Sequence, residues 1–431
     1  MNICVIGTGY VGLVTGTCFA ELGNKVVCVD IDKSKINSLK KGKVTIYEPG
    51  LKELVKRNLR QKRLLFTTSI KAGMKNAQII FIAVGTPPKP SGEADLTYVE
   101  NVCCQIANNM TSYKLIVEKS TVPIETGEWV EQIIKQNLKR KVSFDVASNP
   151  EFLSEGSAID DFMHPDRIVI GVETKKAKGL LAELYRPLRA PIIVTNIKSA
   201  EIIKHASNSF LATKISFINA ISNICEKTGA DVIEVARGMG MDKRIGKAFL
   251  NAGAGFGGFC FPKDLLAFVH ICEKLGYDFG LLREVDRINT EQKAVIIGKI
   301  KQNLQDLDKK VVGVLGLSFK PNTDDIRYAP AIDIIRILQS EGAKIKAYDP
   351  KAMKRAKKEL KGIQFCKSPY AAAEKSDCLI LITEWNEFKE LDFTRIKKLL
   401  NKPFIMDCRN IYDPKKMKRL GFKYIGIGRN K

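Results

Sequence analysis

The sequence predicts an α/β protein with two doubly wound, Rossmann-like parallel-sheet domains joined by a helical central domain that contains a long connecting helix. Three observations predict this fold. Short β-branched runs alternate with amphipathic segments near both ends, each end has a glycine turn followed by a strand that ends in Asp, and the middle lacks strand signals. The expected domain bounds are 1–197, 198–303 and 304–431.

The first third of the chain contains the clearest strand and helix alternation. Amphipathic segments at Tyr98–Met110 and Thr126–Leu138 separate short apolar runs, which is the pattern of a parallel sheet with crossover helices. The predicted strands are Ile3–Ile6, Lys25–Val29, Ile79–Val84, Leu115–Val117, Asp145–Ala147, Arg167–Gly171 and Pro191–Thr195.

The middle of the chain is predicted to be helical. Apolar residues recur at helical spacing from Ser199 to Lys227, and about 28 residues at 1.5 Å each would make a helix of ~42 Å. A helix of that length suits a connector or a subunit interface. More helix is expected as far as Asn303, interrupted by a glycine-rich loop near Gly253–Gly258.

Strand and helix alternation returns in the last third. The basic stretch Lys351–Lys361 is predicted to be the solvated face of a helix. The predicted buried strands are Val311–Leu315, Lys344–Tyr348, Cys378–Ile382 and Phe404–Met406.

Composition limits the function classes. The chain has 431 residues, 45% hydrophobic and 27% charged, which excludes disordered and low-complexity proteins. No apolar run reaches the ~18 residues that span a bilayer, and the first residues, MNICVIGTGYVG, lack the features of a secretory signal. The net charge of +23 allows anionic partners without choosing among nucleic acid, a membrane surface and phosphorylated small molecules.

The cysteine pattern predicts a cytoplasmic protein with reduced thiols. Eleven cysteines are too few for a disulfide scaffold in a chain of this length, and several, such as Cys4 and Cys18, stand in apolar runs. No pair has zinc-finger spacing and there are only three histidines, so no metal site is expected.

The first candidate site is the segment GTGYVG, which follows a predicted strand and opens a helix. Gly7 permits the tight turn, Gly9 allows the backbone to approach a pyrophosphate, and Gly12 allows close helix packing. Asp30 ends the next strand, where a carboxylate binds ribose hydroxyls and favours NAD over NADP. The alternative is a structural turn with a surface Asp. Lys35 either lies near the adenosine or is an ordinary solvated lysine.

The second candidate is Cys260, in the segment GFGGFCFPKD. Glycines give the backbone freedom beside a thiol, and Lys263 and Asp264 follow within four residues. A thiolate is a strong nucleophile at neutral pH. The alternative is a core cysteine, which is how most of the eleven are interpreted.

A third pair, Lys204 and Asn208, stands four residues apart on the long predicted helix and so on one face. An ammonium and an amide together can stabilise an oxyanion, whereas the alternative is a solvated helix face.

Two loops after predicted strands complete the candidates. NPEFLSEG holds Glu151 and Glu155, which suit proton transfer or the charges of a helix start. FKPNTDDIR holds Lys320 and Arg327, which are suited to phosphate binding.

Nine motifs in order resemble the UDP-glucose/GDP-mannose dehydrogenase family of nucleotide-sugar dehydrogenases over nearly the whole chain. KHASNSFLATKISFIN and RIG look more like its UDP-glucose branch than its GDP-mannose branch. Phe259 is a departure, because a small residue commonly precedes the cysteine in this family. The motifs are GTGYVG, VGTPP, STVP, NPEFLSEG, KHASNSFLATKISFINAISN, RIG, GFGGFCFPKD, FKPNTDDIR and DCRN.

The resemblance implies a four-electron oxidation at C6 of UDP-glucose, which gives UDP-glucuronate for polysaccharide biosynthesis and reduces two NAD. Cys260 would form a thiohemiacetal and then a thioester, and Glu151 would activate the hydrolytic water. Lys204 and Asn208 would stabilise the C6 oxyanion, and Asp264 with Thr121 would position a water.

The resemblance also implies domain roles and contacts. The three domains would bind NAD, mediate a homodimer while holding the cysteine loop, and bind the UDP-sugar. NAD contacts are implied for Gly7, Gly9, Tyr10, Val11, Gly12, Asp30, Lys35, Thr86, Thr121, Glu155, Lys263 and Arg327. Substrate contacts are implied for Glu151, Phe152, Leu153, Glu155, Lys204, Asn208, Arg244, Phe249, Asn251, Gly257, Cys260, Phe319, Lys320 and Arg409, with Arg244 reaching a neighbouring subunit.

Three other hypotheses compete with the oxidation of UDP-glucose. The substrate could be another nucleotide sugar, UDP-N-acetylmannosamine or GDP-mannose. The positive charge could indicate an NAD-sensing nucleic-acid binder, but no basic DNA- or RNA-binding motif is found, so no nucleic-acid or membrane partner is expected. A catalytically dead scaffold is disfavoured by the intact Cys260, Lys204 and Asp264.

Overall fold

The computed structural model describes residues 1–89 and 92–429. They form two compact units. The first unit holds residues 1–207 with Leu266–Gly276, and the second holds Asn208–Leu265 with residues 277–429. The bounds of the three predicted domains stay a prediction.

The first unit contains an eight-stranded sheet in the order β3-β2-β1-β4-β5-β6-β7-β8. The central strand β1 pairs in parallel with β2 on one side and β4 on the other, so the strand order reverses there. In such sheets the ligand site lies beyond the carboxyl ends of the strands at this reversal. The strands are β1 (Asn2–Ile6), β2 (Lys25–Val29), β3 (Leu64–Thr67), β4 (Ile79–Ile82), β5 (Lys114–Glu118), β6 (Phe144–Ser148), β7 (Ile168–Val172) and β8 (Ile192–Thr195).

One pair of strands departs from the predicted parallel sheet. β6 and β7 pair antiparallel, through Ala147 with Val172 and Ser148 with Gly171. A parallel return needs a crossover, which is usually built on a full helix. The segment between these strands carries only the six-residue helix Ala158–Met163, so the chain turns back on the same edge of the sheet.

Helices cover both faces of this sheet. Alternate residues of β4 pack into different cores, Ile79 and Phe81 into one and Ile80 and Ile82 into the other, as a strand buried on both faces requires. The helices are α1 (Tyr10–Glu21), α2 (Lys33–Lys40), α3 (Leu51–Arg60), α4 (Ile70–Met74), α5 (Thr97–Asn109), α6 (Thr126–Asn137), α7 (Ala158–Met163) and α8 (Lys175–Tyr185), with a short 3₁₀ turn at Arg186–Leu188.

The predicted long helix is present as α9 (Ile197–Thr228), which has 32 residues and therefore a length of ~48 Å. Helices α10 (Val232–Met241), α11 (Cys260–Lys274) and α12 (Gly280–Leu304) complete the helical middle of the chain. Both α9 and α11 have residues in each unit.

The second unit contains a six-stranded parallel sheet in the order β11-β10-β9-β12-β13-β14, with the reversal at β9. Its strands are β9 (Val311–Leu315), β10 (Lys344–Tyr348), β11 (Gln364–Phe365), β12 (Cys378–Leu381), β13 (Phe404–Asp407) and β14 (Lys423–Ile425). Its further helices are α13 (Pro330–Ser340), α14 (Met353–Glu359), α15 (Pro369–Ala373), α16 (Asn386–Lys389), α17 (Phe393–Leu399) and α18 (Pro414–Arg419).

Two further features concern the surface. The lysines of the basic stretch around α14 are exposed, as predicted for a solvated face. Among the described residues no helix is both long enough and apolar enough to cross a membrane.

Candidate active site

The glycine turn after β1 has the geometry of a dinucleotide cradle. Gly7 has φ +102°, and a Cβ there would lie 2.4 Å from the Ala83 carbonyl oxygen. A Cβ on Gly12 would lie 2.0 Å from the Gly7 oxygen, whereas a Cβ on Gly9 would meet nothing within 4 Å. Gly7 and Gly12 are therefore required by the fold, and Gly9 leaves open space in front of the turn.

Helix α1 begins directly after Gly9 with Tyr10 and Val11 and has no side-chain cap. The N–H groups of its first turn are thus left to a ligand or to solvent, and a helix N-terminus favours a phosphate. The cradle and this helix end fit the pyrophosphate of NAD.

Asp30 is fixed beside the same turn. Its carboxylate accepts hydrogen bonds from the Thr8 N–H (2.9 Å) and hydroxyl (2.6 Å), and the Lys35 ammonium lies 2.9 Å away. Burial opposes ionisation of Asp30, but these hydrogen bonds outweigh it and hold its pKa below the usual range. Asp30 is therefore an anion at the end of β2, and Lys35 is its partner and not a freely solvated lysine.

The loops after β4 and β5 are joined by one hydrogen bond. The Thr86 hydroxyl donates to the Thr121 carbonyl over 2.9 Å, so two predicted cofactor residues lie together. These strands are neighbours in the sheet, and their loops follow its carboxyl edge, where ligands bind in such folds.

The loop that contains Glu155 is tied to α1 through Glu48. The Tyr10 hydroxyl donates to the Glu48 carboxylate, which also accepts from the N–H groups of Gly156 (2.7 Å) and Ala158 (2.8 Å). Glu48 is buried and was not singled out by any sequence motif. It connects the predicted cofactor turn to the predicted substrate loop.

Glu151 and Lys204 form a buried ion pair. The Lys204 Nζ lies 3.2 Å from Glu151 Oε1, with 4% and 5% of the two side chains exposed. Glu151 also accepts from the Leu153 N–H (2.6 Å). The centre of the Phe152 ring lies 3.8 Å from the Arg167 guanidinium carbon and 5.5 Å from the Lys204 Nζ. A buried ammonium paired with a carboxylate can exchange a proton or hold an oxyanion.

Asn208, one turn further along α9, is also buried. Its amide donates to Asp264 Oδ2 over 2.6 Å, and the Lys263 Nζ lies 2.6 Å from Asp264 Oδ1. Because both Lys204 and Asn208 are buried, the interpretation of this helix face as solvated is wrong. These contacts hold the amide, the carboxylate and the ammonium in one cluster of the second unit.

Cys260 is the first residue of α11 and is only half-buried. Of the eleven cysteines, Cys104 is the other one that is not buried, and burial raises the pKa of Cys4 and Cys408 to about 12. The loop before Cys260 runs close to other backbone, since a Cβ on Gly257 would lie 2.3 Å from the Tyr328 oxygen. The glycines thus place a half-buried cysteine at a helix N-terminus.

Basic side chains follow β9 and β13 in the second unit. Arg327 is held by Asp325 (2.6 Å), and its guanidinium lies 4.3 Å from the centre of the Phe259 ring. Arg409 donates to the carbonyls of Ile382 (2.7 Å) and Phe319 (3.1 Å). Lys320 is half-buried, with its Nζ 5.6 Å from the Phe319 ring centre.

Three predicted substrate residues lie outside these clusters. Arg244, Phe249 and Asn251 are exposed, and the Arg244 guanidinium pairs with Asp242 over 2.6 Å. The family resemblance implies that Arg244 reaches a neighbouring subunit's substrate, and this stays a prediction.

The described residues, 1–89 and 92–429, contain no group of three or more His, Cys, Asp or Glu placed to hold a metal ion.

Three family models match the chain. Residues 1–189 match the NAD binding domain of the UDP-glucose/GDP-mannose dehydrogenase family, residues 198–291 its central domain, and residues 313–414 its UDP binding domain. Together these segments cover most of the chain, and the first of them contains the glycine cradle and Asp30.

Curated and solved relatives agree with the family models. A UDP-glucose 6-dehydrogenase of Bacillus subtilis is 51% identical over 99% of this chain and 93% of its own length, and one of Rhizobium meliloti is 46% identical over 100% of both. A UDP-glucose dehydrogenase structure from Pyrobaculum islandicum has a TM-score of 0.93 at 38% identity, covering 99% of this chain and 98% of its own. The chain therefore belongs to the UDP-glucose/GDP-mannose dehydrogenase family and is an NAD-dependent oxidoreductase.

Proposed function

We propose that this enzyme oxidises C6 of UDP-glucose to the carboxylate of UDP-glucuronate, with two NAD reduced for each sugar. The names of the curated relatives support the substrate, and the UDP binding domain at residues 313–414 supports a UDP-sugar. The overall change is a primary alcohol, two NAD⁺ and one water converted to a carboxylate, two NADH and three protons.

The first oxidation uses the residues around Lys204. Lys204 in its neutral amine form takes the proton of the C6 hydroxyl, and the ammonium so formed and the Asn208 amide stabilise the negative charge that develops on that oxygen. NAD, when bound, would supply the hydride acceptor for this oxidation and for the next. The burial of Lys204 and Asn208 supports these roles, because such interactions are stronger where water is excluded.

The second oxidation needs Cys260. An aldehyde offers no readily donated hydride until a nucleophile has added to it. The Cys260 thiolate therefore forms a C–S bond to C6 as the carbonyl π bond breaks, and gives the oxyanion of a thiohemiacetal. Loss of hydride from this adduct leaves a thioester. Water then attacks the thioester carbon, Glu151 takes a proton from that water, and the C–S bond breaks to release the Cys260 thiolate. Asp264 and Thr121 position the water.

The single observation that carries this mechanism is the position of Cys260. A half-buried thiol follows a glycine-rich loop at the start of α11, four residues before Asp264, which Asn208 and Lys263 contact. A dehydrogenase that transfers only one hydride has no use for a nucleophile placed in this way.

The test is the stoichiometry of NADH and sugar in the wild type and two cysteine variants. Wild type is expected to form two NADH for each UDP-glucose consumed. Cys260→Ser is expected to retain NAD and UDP-glucose binding and to lose net turnover, whereas Cys104→Ser, at the other cysteine that is not buried, is the matched control and keeps it. One NADH per sugar with release of free aldehyde would exclude the covalent mechanism.

Substrate specificity is tested separately with a panel of UDP-glucose, UDP-N-acetylmannosamine and GDP-mannose. A UDP-D-ManNAc dehydrogenase structure from Pyrococcus horikoshii shares the fold at TM-score 0.88 and 29% identity, so this substrate belongs in the panel. We expect the highest kcat/KM with UDP-glucose. Faster NADH release with either other sugar would reassign the substrate.

We also propose a domain assignment, an assembly and a location. Residues 1–197 bind NAD, 198–303 hold the cysteine loop and a dimer interface, and 304–431 bind the UDP-sugar; the family-model matches fall within these bounds. The enzyme is a homodimer in the cytoplasm. Exposed aromatic residues on α9 support the interface, and the free cysteines support a reducing compartment.

A further inference from the structure

Lys119, directly after β5, is a buried lysine that no step above uses. Only 5% of the residue is exposed. Its Nζ donates to Asn149 Oδ1 (2.9 Å) and to the Tyr185 hydroxyl (3.4 Å), and that hydroxyl donates to the same Asn149 oxygen. Both partners are neutral, and a buried ammonium is costly unless nearby anions compensate its charge.

The compensating anion lies close by. Lys119 and Glu151 line one cavity of about 40 Å³, together with Asp161, Arg167 and Tyr185. A cavity of this size with polar walls is large enough for a water molecule. All of these residues belong to the first unit, and Asn149, which Lys119 contacts, stands two residues before Glu151.

Burial lowers the pKa of Lys119 to about 7; the negative charge of Glu151 raises it in part, and the positive charge of Lys204 lowers it further. Lys119 therefore changes charge close to neutral pH, and it is coupled to both members of the buried Glu151–Lys204 pair.

The charged groups around Lys119 come from several elements. Asp161 lies on α7, Arg167 directly precedes β7, and Lys204 lies on α9, while Tyr185 ends α8. Glu118, the neighbour of Lys119 in the chain, is instead coupled to Glu201, whose negative charge adds to burial in raising the pKa of Glu118.

We propose that Lys119 is a positioning residue that acts through Glu151, fixing the Asn149-Pro150-Glu151 segment and setting the basicity of the Glu151 carboxylate with its own charge. This inference rests on the proposed role of Glu151 in thioester hydrolysis. A protonated Lys119 makes Glu151 a weaker base, and a neutral Lys119 makes it a stronger one.

Two substitutions fix the two charge states. Lys119→Arg keeps a positive charge at every accessible pH, and Lys119→Met removes it. Lys114→Met is the matched control, because Lys114 is a buried lysine at the other end of β5 whose Nζ donates to the Ala77 carbonyl. Lys114 is buried like Lys119 and belongs to the strand that Lys119 follows, but it does not line the cavity beside Glu151.

The first experiment measures kcat against pH and, by intact mass during turnover, the fraction of enzyme that carries the sugar thioester. In wild type we expect kcat to rise several-fold and the adduct to fall as the pH passes through about 7. Both Lys119 variants are expected to lose this pH-dependent rise in kcat, with KM for UDP-glucose nearly unchanged, and Lys114→Met is expected to keep it. A rise in kcat near pH 7 that persists in Lys119→Met would overturn the inference.

The second experiment needs no turnover. The pKa of Lys119 is measured by NMR with ¹³C-labelled lysine, the signal being assigned by its loss in Lys119→Arg. Glu151→Gln is expected to lower this pKa and Lys204→Met to raise it, since each removes one of the two coupled charges. A pKa that moves in neither variant contradicts the inference. Absence of NADH formation in wild type would instead contradict the proposed function. The NMR measurement would still test whether Lys119 is coupled to Glu151 and Lys204.

Discussion

Gly7, Gly9 and Gly12 belong to one motif but are glycine for two different reasons. At Gly7 and Gly12 a side chain would collide with backbone inside the protein, at 2.4 Å and 2.0 Å. At Gly9 a side chain would meet nothing, so the fold itself does not require glycine there. The space that Gly9 leaves open is what the pyrophosphate of NAD would occupy.

This difference predicts that Gly9→Ala and Gly12→Ala fail in different ways. Gly9→Ala should fold with the thermal stability of wild type but bind NAD at least about 10-fold more weakly, because the methyl group meets the pyrophosphate. Gly12→Ala should lose stability by on the order of 1–3 kcal/mol, because the helix must move away from the turn. Calorimetric NAD binding and thermal melts separate the two effects. Wild-type NAD affinity in Gly9→Ala would show that the dinucleotide does not approach this turn.

Phe259 is a residue at which the motifs imply a departure from the family pattern, and its ring contacts two cations. Its ring centre lies 4.3 Å from the Arg327 guanidinium carbon and 5.8 Å from the Lys263 Nζ. Both cations are proposed NAD contacts. The ring is therefore placed to orient both cations through cation–π interactions.

Phe259→Ser should accordingly raise KM for NAD by a factor of about 2 to 10, the equivalent of a cation–π interaction of ~0.5–1.5 kcal/mol, with kcat changed much less. Phe259→Leu is the control for lost volume, and Phe259→Tyr retains the aromatic face. If the serine and leucine variants both keep the wild-type KM for NAD, the ring does not orient these cations.

The motifs located the candidate residues because only a few residue types can act as nucleophile, base or phosphate ligand. They did not show burial, which is why a solvated face was an open alternative for Lys204 and Asn208. Glu48 and Lys119 were missed for a related reason. Each stands in an ordinary stretch of sequence, and only the packing of distant loops makes it a buried polar group. An isolated charged residue carries no local signal of such packing.

At the scale of elements, the N-terminus of α6 is held by a carboxylate from α9. Glu201 accepts from the backbone N–H groups of Glu125 (2.8 Å) and Gly127 (3.0 Å). Burial raises its pKa to about 7, although these hydrogen bonds act in the other direction. The neighbouring Glu118 is fully buried, and burial raises its pKa as well. The contact between the two helices therefore depends on pH.

The sign of this dependence follows from linkage. The pKa of Glu201 is near 4.5 in the unfolded chain and about 7 in the folded protein. The stabilising contribution of Glu201 to the free energy of unfolding is therefore complete below about pH 4.5 and is lost as the pH rises to about 7. Glu201→Gln does not titrate. It should be destabilised relative to wild type more at about pH 5 than at about pH 8, by on the order of 2 kcal/mol. Urea unfolding at both values measures this, and Glu131→Gln, in an exposed pair on α6, is the control. An equal effect of Glu201→Gln at both values would contradict the shift.

Periodicity predicted the central elements and missed the marginal ones. Strands such as β1 and β9 are buried on both faces and so appear as continuous apolar runs. The strands β3, β11 and β14 lie at sheet edges and are only two to four residues long. The antiparallel β6–β7 pair was also missed, because strand direction depends on the path of the connection and not on composition.

At the scale of the whole molecule, the two sheets repeat one plan. Asp349 follows β10 and accepts from the N–H groups of Leu317 (2.8 Å) and Ser318 (3.0 Å), as Asp30 accepts from Thr8 after β1. The repeated glycine turn and strand-end Asp predicted this similarity. The copies differ in accessibility, since Asp349 is fully buried and also accepts from the Trp385 indole (3.2 Å). Asp349 therefore stabilises its turn, whereas Asp30 remains available to a ligand.

Helix α9 presents an aromatic and apolar face to solvent. Phe210, Phe217 and Ile224 follow one another at seven-residue intervals and are 66%, 48% and 55% exposed. Residues seven apart lie on one side of a helix, so the three form a continuous stripe. A stripe of large apolar side chains on a 32-residue helix is the kind of surface that a second copy of the chain covers.

The stripe therefore predicts the assembly. Phe210→Glu with Phe217→Glu should convert a dimer into a monomer, because the interface would bury two carboxylates in each copy without partners. Light scattering after size exclusion distinguishes the 48.0 kDa chain from twice that mass. Lys198→Gln, a charge change in the first turn of the same helix, twelve residues before Phe210 and on a different side of the helix, should leave the mass unchanged. If the double variant keeps the wild-type mass, the stripe is not the interface. The double variant can also become monomeric and lose turnover with UDP-glucose while it keeps the wild-type circular dichroism spectrum and still binds NAD. That outcome would indicate that the second copy contributes to the substrate site, which is the role implied for the exposed Arg244.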